Sequence, residues 1–134
     1  MNKMNPVVHF EMPAKDKRRV SDFYSQAFGW NMSVLGEEMG GYVLATTTQT
    51  DEKTQRPTTP GAINGGFFGY DPSKPGFQYP SVVISVENLM ESIETVKKAG
   101  GKVEGEPMDI PGIGTYVAII DTEDNRVGML QPTR

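Results

Sequence analysis

Val7-Val8-His9-Phe10-Glu11-Met12 alternates as a strand does, and Asp16 beyond it is placed to cap a helix. The helix itself is written in the spacing of Val20, Phe23, Tyr24, Ala27 and Phe28, with Gly29 as its stop. The same order returns 72 residues later. There Ser81-Val82-Val83-Ile84-Ser85-Val86 is the strand, Asn88 the cap, and Leu89, Ile93 and Val96 the apolar stripe. Ala99-Gly100-Gly101 ends that helix. One offset lays His9 on Ser81, Asp16 on Asn88, Ala27 on Ala99 and Gly29 on Gly101 without a gap. Identity between the copies is low, so the repeat lies in the order of elements and caps.

Three shorter strands complete each copy. In the first they fall at 32–35, 42–47 and 62–68, the first two joined by a turn around Met39-Gly40-Gly41. Residues 49–60 are polar, charged and without period, which predicts a long mobile loop. Residues 69–80, with three prolines, form a connector. In the second copy the strands fall at 102–106, 115–120 and 127–131, separated by Pro111-Gly112-Ile113-Gly114 and an acidic turn at 121–126. The pattern is βαβββ twice in one domain over residues 1–134, with module one at about 6–70 and module two at about 79–132. It predicts an α+β fold: a curved mixed sheet forming a cup, helices outside. Val8, Phe10 and Met12 then face the first helix, and Val82, Ile84 and Val86 the second. The opposite strand faces are expected to line a shared cup, a common setting for a ligand.

Composition narrows the function. Lys and Arg total 13 against 17 Asp and Glu, a net charge of −4, which argues against a nucleic-acid partner. There is no cysteine, so disulfides, thiolate metal sites and a cysteine nucleophile are excluded. No apolar run approaches the roughly 18 residues of a membrane helix. The start, Met1-Asn2-Lys3-Met4-Asn5-Pro6, has no signal-peptide core, and a cytoplasmic location is expected.

These residues resemble a known family. The start Val7-Val8-His9-Phe10-Glu11, then Phe23-Tyr24 with Ala27-Phe28-Gly29-Trp30, are similar to the vicinal oxygen chelate superfamily, which includes glyoxalase I, bleomycin-resistance proteins and extradiol dioxygenases. Pro60-Gly61-Ala62-Ile63-Asn64-Gly65-Gly66, Ala99-Gly100-Gly101-Lys102-Val103, Ile110-Pro111-Gly112-Ile113-Gly114 and the ending at 121–131 extend the likeness over nearly the whole chain. Within it the chain looks closest to small bacterial glyoxalase-like proteins. The resemblance implies a glyoxalase / bleomycin resistance / dioxygenase fold. It also implies a divalent metal held by the first and last strands of each module, commonly by two histidines and one or two glutamates. Carried over, those positions fall on His9, Ser81, Gly128, and Gly65 or Gly66. Only the first keeps a ligand, and a metal wants several donors at once. His9 and Glu11 share a strand face about 6.6–7 Å apart, which makes them weak metal candidates.

The expected function is therefore a glyoxalase-like protein with a degenerate metal site that binds a small organic molecule, with no cofactor. The lining expected from strand parity and the repeat is His9, Glu11, Gly65, Phe67, Ser81, Val83, Val117, Gly128 and Leu130, mostly apolar with a few polar groups. Phe67, Phe68, Trp30, Tyr42 and Tyr116 are candidate aromatic walls. The lone histidine, His9, is a candidate general base with Glu11 or Asp109 to orient it. A Ser81 or Ser85 nucleophile lacks the sharp turn that such serines need. The rival is a metal-dependent lyase, isomerase or dioxygenase with a shifted site using His9, Glu11 and Gln131. A homodimer is implied by the resemblance alone.

Overall fold

The structure is a computed structural model that describes residues 4–37 and 40–133. Its elements are β1 (Val7–Ala14), α1 (Lys17–Phe28), β2 (Asn31–Val34), β3 (Val43–Thr46) and β4 (Asn64–Gly69), then β5 (Ser81–Ser85), α2 (Leu89–Lys98), β6 (Lys102–Ile110), β7 (Gly114–Ile120) and β8 (Arg126–Pro132). This is βαβββ twice, an α+β fold. Met39 of the expected turn and residues 1–3 of the chain start lie outside the described residues.

The chain divides into two compact units at Pro80/Ser81, with one exchange. Residues 4–8, which include the start of β1, cluster with the second unit. A backbone bond from Ser85 N–H to the Pro6 carbonyl, 2.9 Å, ties that leading segment to β5.

In the first unit the strands run β2-β3-β4-β1. β4 pairs parallel with β1 and antiparallel with β3, and β3 pairs antiparallel with β2. Asp16 caps α1, its Oδ1 accepting from Arg19 N–H at 2.9 Å, and Gly29 ends the helix at φ +72°, a conformation a side chain resists. Val20 and Tyr24 pack on a core of Ala14, Val43, Ala45 and Phe67, together with Phe10, Met12, Trp30 and Met32. Val8 and Val82 keep the expected face by strand parity but remain exposed. The loop at 49–60 is more ordered than its composition suggests: Thr50 and Pro57 form a bridge, and Asp51 Oδ1 accepts from Lys53 and Thr54 N–H.

The second unit repeats the order as β5-β8-β7-β6. β5 pairs parallel with β8, which runs antiparallel to β7, and β7 pairs antiparallel with β6. Asn88 caps α2 by accepting from Glu91 N–H at 3.1 Å, as the offset predicts. The far end departs from the offset: α2 has 10 residues to the 12 of α1, and Ala99 rather than Gly101 is its C-cap. Leu89 and Ile93 bury against Val86, Val117, Ile119 and Met129. β6 runs past its expected end to Ile110, through a register slip between Glu104 and Met108 where Gly105 takes φ +77°. Among the described residues no helix is long and apolar enough to cross a membrane.

Candidate functional site

Register decides what each strand presents. β1 and β4 pair His9 with Asn64, Phe10 with Gly65, Glu11 with Gly66 and Met12 with Phe67. Paired residues share a face, so Phe10, Met12, Gly65 and Phe67 turn to α1, and His9, Glu11, Asn64 and Gly66 turn the other way. In module two Val83 pairs with Gly128 and Ser85 with Leu130. Two residues earlier on the same face stand Ser81 and Arg126. His9 and Asn64 thus correspond to Ser81 and Arg126, and Glu11 and Gly66 to Val83 and Gly128.

A tyrosine lies over each of these glycines. Gly66 pairs with Leu44, and Tyr42 is two residues before it on the same face. A Cβ on Gly66 would run into the Tyr42 ring. Gly128 pairs with Ala118, and Tyr116 is two residues before that. A Cβ on Gly128 would come within 2.6 Å of Tyr116 Cε2. The two tyrosines are therefore equivalent in register, and each ring needs its glycine bare.

The hydroxyls of the rings are tied to different partners. In module one Tyr42 Oη donates to Glu11 Oε2 at 3.0 Å and lies 3.2 Å from His9 Nε2. Glu11 is only 7% exposed and His9 is half-buried. Burial holds the His9 imidazole below its ordinary range, and the nearby Glu11 charge opposes this more weakly. In module two Arg126, also 7% exposed, donates from Nη1 to Ser81 Oγ at 3.3 Å and from Nη2 to Tyr116 Oη at 3.0 Å. Asn64, at the place of Arg126, turns its amide oxygen to the N–H groups of Thr47 (2.7 Å) and Thr48 (3.0 Å).

Of the residues expected from sequence, the structure joins His9 to Glu11 through Tyr42. Ser81, the buried Val83, Gly128 and the half-buried Leu130 lie on the corresponding face of module two. Gly65, Phe67 and Val117 fall elsewhere. Gly65 lies against the Phe10 ring, and Phe67 and Val117 are in the helix-packed cores. The expected parity of β7 was off by one: Val117 pairs with Met129 on the helix side, and Tyr116 takes the other face. Trp30 stacks on Tyr24, 4.7 Å between ring centroids, beneath α1. Gln131 is not a ligand in waiting, since its Oε1 accepts from Leu89 N–H at 2.8 Å at the start of α2. Asp109 accepts from Thr115 Oγ1 at 2.9 Å on an exposed strand. Arg126 and Asn64 were missed. Aligning Gly66 with Gly128 puts the two on one another, but a lone glycine is a faint marker.

The four metal positions implied by resemblance offer one imidazole, one hydroxyl and two glycines whose side-chain space a tyrosine ring takes. Such a set does not fit a divalent metal, which draws on three or four protein donors. Among the described residues no three His, Cys, Asp or Glu side chains gather as a metal would need.

Comparison with known proteins agrees with the architecture. The family model described as "Glyoxalase/Bleomycin resistance protein/Dioxygenase superfamily" matches residues 7–129. The chain is 27% identical over 119 residues to a probable lactoylglutathione lyase of Vibrio cholerae serotype O1, covering 88% of this chain and 83% of that one. It is 27% identical over 117 residues to the anthracycline biosynthesis protein DnrV of Streptomyces peucetius, covering 84% of this chain but 42% of that longer one. Among solved structures, methylmalonyl-CoA epimerase from Mycobacterium tuberculosis superimposes with a TM-score of 0.65 at 12% identity, over 96% of this chain and 88% of that one. At that identity the likeness is one of fold.

Proposed function

The chain belongs to the Glyoxalase/Bleomycin resistance protein/Dioxygenase superfamily, and from that premise we propose that it binds a small organic molecule on the polar sheet face of its modules without a metal centre of the family's usual kind. One observation carries this reading: a tyrosine ring lies over Gly66 and over Gly128, the positions to which the family resemblance carries last-strand metal ligands. A ring beside a hydroxyl, an imidazole and a buried charge offers an organic ligand both apolar area and a few orienting hydrogen bonds. Sequestration of a toxic compound, after the bleomycin-resistance branch, is the nearest analogue, and it rests on family likeness. A cytoplasmic location and a homodimer belong to the same reading; cell fractionation and light scattering test them.

Metal analysis of the purified protein is the deciding experiment. The reading expects far less than one divalent ion per chain. About one tightly held ion per chain, lost on His9→Ala, would overturn it. That result would favour the second reading, a metal-dependent lyase, isomerase or dioxygenase with a shifted site. Its support is the pairing of His9 with Glu11 and the lyase among the relatives. On the first reading, small molecules released from the denatured protein and identified by mass spectrometry are retained by wild type and lost by Tyr42→Ala.

A further inference from the structure

The hydrogen-bond chain in module one has a direction, set by the phenol. Tyr42 carries one hydroxyl proton, and it goes to Glu11 Oε2 at 3.0 Å. Toward His9 the same oxygen can only accept, so Nε2, 3.2 Å away, is the ring nitrogen that bears hydrogen. In a neutral imidazole the other nitrogen, Nδ1, is then a lone-pair acceptor. Burial favours that neutral ring. Among the described residues Nδ1 has no hydrogen-bond partner.

We propose that His9 Nδ1 is the recognition atom of this face, and that it selects ligands carrying an acidic hydroxyl, a phenol or an enol, over ligands of the same shape without one. The inference rests on the binding reading above and deepens it by naming the group bound. Two features make the atom a good acceptor for such a hydroxyl. The ring is oriented through Nε2, so Nδ1 does not have to be fixed when the ligand arrives. As the ligand's proton is drawn toward Nδ1, positive charge grows on the ring, and Tyr42 relays the Glu11 carboxylate's stabilisation of it. An ether or an ester at the same place brings a second acceptor against Nδ1 and leaves both without a donor.

The test uses two probes that differ by one methyl group, 4-nitrophenol and 4-nitroanisole, together with nitrogen-15 spectra of the imidazole. The chain has one histidine, so every imidazole signal is His9. The expected result is the Nε2–H tautomer in the free protein, and 4-nitrophenol bound about tenfold more tightly than 4-nitroanisole. In His9→Phe that preference should vanish, and in Tyr42→Phe the tautomer should become mixed. The wild-type tautomer keeps the idea exposed even where a variant fails to fold. An Nδ1–H tautomer overturns the proposal. Equal affinity for the two probes, with the His9 signals moving for both, overturns it while leaving the binding reading standing. Signals unmoved by either probe up to its solubility limit would sink the binding reading as well.

Discussion

The two modules keep one frame and fill it with opposite charge. In each, a tyrosine two residues along the neighbouring strand covers a glycine of the strand that pairs with the module's first. In module one the phenol donates to a carboxylate, Glu11 on β1. In module two the phenol accepts from a guanidinium, Arg126 on β8. A guanidinium only donates, so Ser81 and Tyr116 both serve it as acceptors, where Tyr42 in module one gives its proton away. The backbone relation between tyrosine and glycine is common to both copies, whereas the sign of the charge rests on one side chain in each. The helices differ as well. α2 buries Leu89 and Ile93 to 2% and 6% exposure, while α1 has no buried residue and leaves Phe23 and Phe28 at 55% and 63%.

The sharpest break of the comparison is in the helix seats. Leu89→Ala should cost about 2–5 kcal/mol by urea unfolding, the range for a buried leucine. Phe23→Ala, on an exposed face, should cost under about 1 kcal/mol. Equal costs would mean that α1 is seated as firmly as α2.

Next come the glycines. Gly66→Ala and Gly128→Ala should each cost about 1–3 kcal/mol by forcing a ring aside. In a Tyr42→Ala background the Gly66→Ala cost should largely disappear, and Tyr116→Ala should do the same for Gly128→Ala. A cost unchanged by loss of the ring would show that the glycine answers to something else.

The caps should behave alike. Asp16→Ala and Asn88→Ala should each cost about 1 kcal/mol, since both accept one N–H of the first helical turn. A large inequality would separate the modules where sequence makes them most similar.

The smallest effect is a slope. The folded His9 titrates below its unfolded value, so the unfolded chain binds the extra proton in the window between the two. That contribution is fully present above about pH 6.5 and declines as pH falls through the folded value. Module two has Ser81 at this place and contributes no such slope. His9→Phe should flatten the wild-type profile over that window, and an unchanged profile would count against a buried neutral imidazole.

Much of the fold was legible because it is written locally. Alternation in 7–12, the caps Asp16 and Asn88, and the apolar stripe of Leu89 and Ile93 all lie within a few residues of the structure they specify. The end of α2 was less so, because three consecutive small residues, Ala99-Gly100-Gly101, each permit a stop. The site was half legible. His9 and Glu11 share a face by strand parity alone, but Gly65 and Phe67 were given to the wrong side because the phase of β4 depends on its partner. Val117 failed for the same reason.

What the chain determined by itself is the repeat of elements and the paired His9 and Glu11, since periodicity and capping act over a turn or two. Only the tertiary structure decided that Gly66 answers Gly128, that Tyr42 and Tyr116 close over them, and that Arg126 stands where module one has Asn64. Those relations join strands far apart in sequence through loops of unequal length, and a slip of one residue in register would turn every side chain to the other face.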